Sequence, residues 1–358
     1  MKKKKDEYIL VICAIFLIFI QYGMKNNKIK IRDEYYKEMV LSAENFKRLT
    51  NEIKLEKIRR KIKIEEEIDK NLTGLMGKEW SNISTTLGNE EAKRTSINPD
   101  FSALITKKLK NLNLKEGDVV AVNMSSSFPA LNLALISSLD TLKLKGIIVN
   151  TVGSSNYGGN IEEFDYLDME NYLYQKGLIK NKSIAYSFGG IDDIGKEFEI
   201  SLKEKIKEKN KKYNLKFFYN ENVEKNIDER YEFYKKYGEQ KIKAFVNIGG
   251  NILSLGKTSN IIINKDVILN RTENKEIKTG LISKFFSNEI PILYLLNIRE
   301  IALRNGIPID PVPFPEIGTS LVYFEKISNF SYNLGIILIV LLYLIKNILL
   351  KKYFLENK

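Results

Sequence analysis

Small and polar residues follow each of four segments that we predict to be buried strands of one sheet. The strands are DVVAVNM (118–124), GIIVNTV (146–152), SIAYS (183–187) and AFVNI (244–248). Because the carboxyl ends of parallel strands meet at one edge of a sheet, where open α/β folds bind their ligands, we expect the four loops to form one crevice. The candidate ligand-binding residues of this crevice are Ser125, Ser126, Ser127, Gly153, Ser154, Ser155, Gly189, Gly190, Gly249, Gly250 and Asn251.

The residue types in these loops favour an anionic ligand, either a carboxylate or a phosphate. Glycine and serine let backbone N–H groups approach a ligand closely, hydroxyls add donors, and helix N-termini add partial positive charge. Arg94, in a polar segment upstream, is a further candidate because its planar guanidinium can clamp a carboxylate; a surface ion pair with Glu91 is the alternative. Tight strand-to-helix turns need the same small residues even where nothing binds, so a purely structural interpretation stays open.

Three residues of the crevice are candidates for catalysis. Ser127, or alternatively Ser125, could act as a nucleophile together with a nearby lysine, a pair that needs no imidazole. Asp192 and Asp193 could act as a general base or bind Mg²⁺ through hard oxygen ligands. The alternative for both carboxylates is that they cap the helix that follows and interact with its dipole. Both catalysis and the presence of a metal therefore stay open at the level of the sequence.

The composition excludes several classes of active site. The chain has 358 residues, no histidine and one cysteine, Cys13, so it has no Ser-His-Asp triad, Cys-His pair, histidine zinc site or disulfide within the chain. No haem motif, G-x-G-x-x-G fingerprint or P-loop is present, which argues against a haem or nucleotide cofactor. The formal net charge is +12, but both signs are interspersed along the middle of the chain, so we predict no nucleic-acid partner.

Strands alternate with helical segments along the middle of the chain. Residues 118–152 fit a strand, a helix and a second strand, which is a right-handed βαβ unit with parallel strands. The alternation continues up to an apolar helix expected near residues 292–304. We therefore predict an α/β domain over 76–325, with a mostly parallel sheet and helices on both faces in a Rossmann-like, three-layer arrangement.

Two apolar segments lie near the ends of the chain. YILVICAIFLIFI (8–20) follows four lysines, and residues 330–350 contain an uncharged run of twelve, LGIILIVLLYLI. We expect an N-terminal membrane anchor over 1–24 and a C-terminal transmembrane helix with a basic tail over 326–358; buried core helices are the alternative. Both termini would then be cytoplasmic, and the middle of the chain would be extracytoplasmic.

Two further segments are expected to separate the domain from the bilayer. Residues 25–75 are rich in lysine and glutamate, with apolar residues such as Leu49 and Ile53 at helical spacing, and they predict a charged helical stalk. NGIPIDPVPFP (305–315) has four of the seven prolines of the chain and predicts a rigid extended link to the second span.

Several long motifs occur in one order along residues 75–320. They are STTLGNEEAKRTSINPDF (84–101), VAVNMSSSFPALNLA (120–134), FDYLDME (164–170), SIAYSFGGIDDIG (183–195) and NGIPIDPVPFPEIG (305–318). In these motifs the chain resembles the poly-gamma-glutamate system protein family, which comprises membrane-associated proteins named for genes that make the γ-linked glutamate polymer. The resemblance implies a bacterial cell-envelope protein that acts in synthesis, export or anchoring of this anionic capsule polymer. It supplies no catalytic residue.

Two functions from different classes follow from these observations. The first is a non-enzymatic accessory protein of the cell membrane that binds poly-γ-glutamate or its synthase complex at the crevice, and the absence of histidine favours it. The alternative is a hydrolase or transferase that acts on γ-glutamyl amide links and uses Ser127, Asp192 or Asp193.

Overall fold

The structure of the protein is a computed structural model that describes residues 28–239, 241–256, 266–275, 277–328 and 334–341, together with single positions near both ends. The chain divides into two compact units. Tyr35–Tyr323 forms the first unit. The described part of the second unit comprises residues 28–34 and those from 324 onwards.

The described residues form an alternating series of strands and helices. The strands are β1 (Lys28–Arg32), β2 (Ser84–Thr86), β3 (Val119–Ser125), β4 (Lys145–Thr151), β5 (Ser154–Ser155), β6 (Ser183–Ser187), β7 (Lys216–Phe217), β8 (Ile242–Ile248), β9 (Ile292–Leu295) and β10 (Phe324–Ser328). The helices of the first unit are α1 (Tyr36–Arg59), α2 (Glu90–Ser96), α3 (Asp100–Asn111), α4 (Pro129–Thr141), α5 (Tyr166–Gln175), α6 (Ile200–Lys211), α7 (Val223–Tyr237), α8 (Ile252–Leu255), α9 (Gly280–Ser287) and α10 (Ile298–Asn305).

A six-stranded sheet of order β7-β6-β4-β3-β8-β9 forms the centre of the first unit. Every neighbouring pair of strands is parallel, which confirms the predicted α/β class. The central strands β3 and β4 are buried along most of their length, as expected where helices cover a parallel sheet. Residues 292–304 were predicted to be one helix, and this is wrong: β9 occupies the start of the segment because its side chains are buried beside β8.

The direction of the strand order reverses at β3. The chain moves outward from β3 through β4, β6 and β7, then returns to the other side of β3 with β8 and β9. In open α/β sheets such a switch point leaves a crevice outside the carboxyl ends of the strands. A separate parallel pair, β2 with β5, brings the segment before α2 against the loop that follows β4.

Helices α7, α8 and α9 share a hydrophobic cluster with strands of the sheet, in which the rings of Phe245 and Phe285 stack with 4.2 Å between their centroids. Helix α4, which contacts β3 and β4, is buried along nearly its whole length and also packs against α1 and α3. Pro129 begins this helix, where the missing N–H costs no hydrogen bond.

Helix α1 belongs to the first unit and is not a stalk. Met39, Ala43, Phe46, Leu49 and Ile53 recur at intervals of three or four residues and are buried. The helix packs against α3 and α4. The predicted charged stalk over 25–75 is therefore wrong for this helix: its lysines and glutamates lie mainly outside the apolar stripe, which the domain covers. The boundary predicted at residue 76 moves to residue 35.

The second unit contains an antiparallel pair in which β1 runs beside β10, from Lys28 opposite Ser328 to Arg32 opposite Phe324. Because β10 ends at Ser328, the predicted transmembrane segment over 326–358 starts inside a strand. Within the part of the chain that the structure describes, none of the helices combines the length and the apolar character that crossing a bilayer requires. The apolar segment 8–20 lies outside the described residues except for Ile15 and Ile18, whereas residues 334–341 of the segment 330–350 are described and are helical.

Replacing Leu49 by alanine tests the placement of α1. Leu49 is 1% exposed, so we expect Leu49→Ala to lower the free energy of unfolding by about 2–5 kcal/mol through lost burial and a cavity. Leu55 in the same helix is 57% exposed, and we expect Leu55→Ala to change the free energy of unfolding by less than about 0.5 kcal/mol. Urea denaturation followed by circular dichroism measures both values. Equal, small effects would instead mean that α1 is solvated on all sides.

Candidate functional site

A cleft of about 530 Å³ lies at the carboxyl edge of the sheet. Its walls come from the loops after β3, β4, β6, β8 and β9 and from residues 85–89, which precede α2. The predicted site residues that line it are Ser125, Ser127, Gly153, Ser155, Gly190, Asp192, Gly250 and Asn251. The structure therefore brings together residues from all four of the loops that the sequence analysis selected.

Other predicted residues lie behind the walls. Ser126 and Ser154 are buried, and the Ser154 hydroxyl donates to the carbonyl oxygens of Ser126 and Ser155. Gly189 and Gly249 precede wall residues and have positive φ angles of 75° and 90°, which glycine adopts without strain. These four positions shape the loops and do not line the cleft.

Several backbone amides of the loops are used within the protein and are therefore lost from the predicted cradle of N–H groups for an anion. Ser127 N donates to Ser125 Oγ at 3.2 Å, and Ser155 N donates to Ser127 Oγ at 2.9 Å. Gly153 N donates to the carbonyl oxygen of Phe188, and Gly249 N to that of Leu295. The first of these bonds lies within one loop and the others join neighbouring segments, so the same amides are not available to a ligand.

The charges of the walls also differ from the prediction. Asp192 and Glu197 are the charged residues among those lining the described walls, and no lysine or arginine lines them. Asp192 forms an ion pair of 2.5 Å with Lys196, and Glu197 accepts a hydrogen bond from Ile191 N. The described walls thus carry two carboxylates, one of them paired with Lys196, and none of the lining residues is a cation that would attract a polyanion.

A buried lysine that the sequence analysis did not single out as a site residue lies directly beneath the cleft. Lys93, in helix α2, is 3% exposed. Its Nζ lies 2.7 Å from Ser155 Oγ and also donates to the carbonyl oxygen of Ser127. The same Nζ lies 4.2 Å from the centroid of the Phe128 ring. Lys93 therefore contacts three residues that line the cleft.

The environment of Lys93 changes its protonation. Burial lowers its pKa from 10.5 to about 7, because the charged ammonium loses its hydration. Neither of its two hydrogen-bond acceptors, a carbonyl oxygen and a hydroxyl, is a carboxylate that would restore the charged form. A sizeable fraction of Lys93 is therefore a neutral amine at neutral pH, and a neutral amine can accept a proton.

Ser155 has the geometry of an activated nucleophile. Ser155 is one of the residues that line the cleft, and its hydroxyl contacts the amine of Lys93 at 2.7 Å. A lysine with a lowered pKa within hydrogen-bond distance of a serine can remove the hydroxyl proton during attack on a carbonyl. Gly88 keeps the space beside this hydroxyl open, since a Cβ at that position would lie 2.9 Å from Ser155 Oγ.

Neither predicted catalytic aspartate is placed to serve Ser127 as a base. Asp192 lines the cleft but pairs with Lys196. Asp193 is completely buried, 2.8 Å from Arg230 Nη2, and accepts hydrogen bonds from Ser187 and Asn251. Ser127 Oγ accepts a hydrogen bond from Ser155 N, and the carbonyl oxygen of Ser127 accepts one from Lys93 Nζ.

The acidic residues do not assemble into a metal site. Within the described ranges, no group of three or more aspartate, glutamate, cysteine or histidine side chains could hold a metal ion. The Mg²⁺ site considered for Asp192 and Asp193 is not formed, because Asp193 is occupied by Arg230 and its other donors. The acidic FDYLDME motif caps a helix: Asp165 and Asp168 form a capping box at the start of α5, and Lys209 pairs with both.

Arg94 does clamp a carboxylate, but one that belongs to the chain itself. Its guanidinium contacts both oxygens of Asp310 at 2.8 Å, and the Asp310 amide donates to Thr95 Oγ1 at 3.0 Å. Glu91, the partner considered in the sequence analysis, pairs instead with Arg299. The proline-rich segment 305–315 is thus attached to α2, next to Lys93, and is not a free link towards a membrane.

Comparisons with known proteins were made at the level of sequence families, curated proteins and solved structures, and none of the three gave a match. The resemblance to the poly-gamma-glutamate system family therefore stays a prediction from the motifs.

The Arg94–Asp310 pair generates a prediction with a matched control. Asp310→Asn leaves the half-buried Arg94 guanidinium without its bidentate partner, and we expect a loss of about 1–3 kcal/mol in the free energy of unfolding. Glu91→Gln breaks an exposed pair with Arg299 and should cost less than about 1 kcal/mol. Chemical denaturation measures both variants. A loss no larger for Asp310→Asn than for Glu91→Gln would mean that the proline-rich segment 305–315 is not held to α2 by this contact.

Proposed function

We propose that the protein is a serine–lysine acyl hydrolase or acyltransferase, in which Ser155 is the nucleophile and Lys93 is the general base. The supporting observation is the 2.7 Å contact between Lys93 Nζ and Ser155 Oγ at the wall of the cleft. This contact favours the enzymatic alternative over the accessory role, because a polymer-binding surface needs neither a lysine withdrawn from water nor a serine hydroxyl beside it.

The reaction begins when Ser155 Oγ attacks the carbonyl carbon of an amide or ester, while the neutral Lys93 Nζ accepts the hydroxyl proton. The tetrahedral adduct collapses, the bond to the leaving group breaks, and the Lys93 ammonium returns the proton to the departing nitrogen or oxygen. An ester of Ser155 remains. Water or an amine then attacks this ester, Lys93 accepts its proton, and Ser155 leaves with that proton restored.

Backbone amides are the candidates for contacting the substrate oxygen. Gly190 N and Gly250 N have no hydrogen-bond acceptor among the described residues, and both glycines line the cleft. Donors of this kind stabilise the negative charge that develops on a carbonyl oxygen. Their position in loops joined to β6 and β8 gives them a rigid support.

The proposed substrate class is the γ-glutamyl amide link, which the family resemblance implies. The absence of a lining cation in the described walls suggests that the cleft takes one link near a chain end, because a longer stretch would bring several free carboxylates towards Asp192 and Glu197. The remaining proposals are a Rossmann-like, three-layer arrangement, which the alternation of strands and helices suggests, and membrane anchoring by 1–24 and by the apolar part of 326–358. The proposed partner is the polymer or its synthase, which the resemblance implies.

A fluorophosphonate probe, which forms a covalent bond with activated serines, tests the proposed pair. The full chain should be labelled at Ser155, and Ser155→Ala should abolish the labelling. Lys93→Met and Lys93→Arg should each slow it by about 10²-fold or more, because arginine keeps the positive charge but cannot act as a base at neutral pH. Ser201→Ala, an exposed serine in α6, is the matched control.

The pH dependence of this labelling follows from the lowered pKa of Lys93. The protonated amine cannot accept a proton, so the labelling rate should be low below the pKa of Lys93 and rise through about pH 7 to a plateau.

Peptide mapping by mass spectrometry locates the label, and circular dichroism establishes that each variant is folded. Wild-type labelling in folded Lys93→Met would rule out the pair and restore the accessory role, for which salt-sensitive polymer binding is the test.

A further inference from the structure

Apolar side chains from four loops and from the start of α8 line the cleft that contains Ser155. Leu87 is 83% exposed and Ile191 is 54% exposed. Ile252, Leu296 and Phe128 complete the set and also line the cleft. Single exposed apolar residues are ordinary on a protein surface, but a set gathered around one cleft indicates a binding surface.

Most polar groups of the cleft are already hydrogen-bonded or paired within the protein, so they do not explain why apolar side chains gather around it. The Lys93 amine, the Ser127 hydroxyl and most loop amides already have partners inside the protein. The Asp192 carboxylate has Lys196, and Glu197 binds the Ile191 amide. Leu87 and Ile191 present exposed hydrocarbon at the cleft, and Leu87 precedes Gly88, where an added Cβ would lie 2.9 Å from Ser155 Oγ.

From this we infer that the preferred substrate has an aliphatic substituent on one side of the scissile carbonyl, held by Leu87, Ile191, Ile252 and Leu296. The inference rests on the proposed function, since it describes what the Ser155 cleft selects. It also modifies the sequence-based expectation of a purely anionic ligand: a γ-glutamyl group can occupy one side of the bond while the aliphatic group occupies the other.

Two series of substrates test the inference with the full chain. One is the p-nitrophenyl esters of acetate, butyrate and octanoate, which vary the acyl side. The other is the γ-glutamyl N-alkyl amides from methyl to octyl, which vary the leaving side. In at least one series kcat/KM should rise by roughly fourfold for each methylene that enters the cleft, which corresponds to about 0.8 kcal/mol per CH₂. The series that responds identifies the side of the aliphatic group.

Variants connect the chain-length dependence to the named residues. Leu87→Ser and Ile191→Ser should each flatten the rise of kcat/KM with chain length. Ile200→Ser replaces an isoleucine that is 81% exposed at the start of α6, outside the cleft, and should leave the rise unchanged. Because Leu87 and Ile191 are exposed on loops, their replacement does not remove buried core.

The outcomes separate this inference from the proposed function. Ser155-dependent hydrolysis with no chain-length dependence in either series would overturn the inference and leave the proposed function standing. A rise that persists in both Leu87→Ser and Ile191→Ser would also overturn it. No Ser155-dependent turnover of any substrate would overturn the proposed function, and the inference with it.

Discussion

The hydrogen bond between Lys93 Nζ and Ser155 Oγ is the interaction on which the functional account depends. An ammonium group withdrawn from water is costly, and burial therefore lowers the pKa of Lys93 to about 7. In the proposed mechanism, the neutral amine accepts the proton of the serine hydroxyl. The surroundings keep the amine in place: the Ser127 carbonyl accepts a second hydrogen bond, and the Phe128 ring covers it.

Long-range pairing brings the two residues of this hydrogen bond together. They are 62 positions apart: Lys93 lies in α2, which precedes the main sheet in the sequence, and Ser155 lies in β5, which follows the second strand of that sheet. The parallel pair β2–β5 brings these segments side by side, and the Arg94–Asp310 contact attaches α2 to the proline-rich segment 305–315. The reversal of strand order at β3 opens the cleft in front of Ser155. Helix α2 and strand β5, which are distant in the sequence, thereby contribute to one site.

Much of the sheet was predictable from the sequence, because short apolar runs bounded by glycine and serine have few other conformations to adopt. SIAYS coincides with β6, and the other three predicted strands differ from β3, β4 and β8 by one or two residues at their ends. Helix α1 was predicted to be part of a solvated stalk, and this prediction failed for a physical reason. Amphipathic spacing shows that a helix has an apolar face, but only the folded chain shows that α3 and α4 cover it.

The location of the candidate site was predictable, but its chemistry was not. Loops after parallel strands converge wherever the sheet forms, so Ser125, Ser127, Ser155 and Gly190 meet as expected. Contacts between loops, such as the hydrogen bond from Ser154 N to the Ile83 carbonyl oxygen, determine which backbone amides can still bind a ligand. Lys93 is one of 57 lysines and arginines, and nothing beside it in the sequence distinguishes a buried amine from a solvated one.

The most direct test is an NMR titration of lysine side chains in the full chain, labelled with ¹³C at Cε, with the Lys93 signal assigned by its loss in Lys93→Arg. The account predicts that this signal titrates near pH 7, more than two units below an ordinary lysine. A Lys93 signal that titrates above pH 10 would contradict it, because the amine would then be protonated whenever Ser155 needed a base.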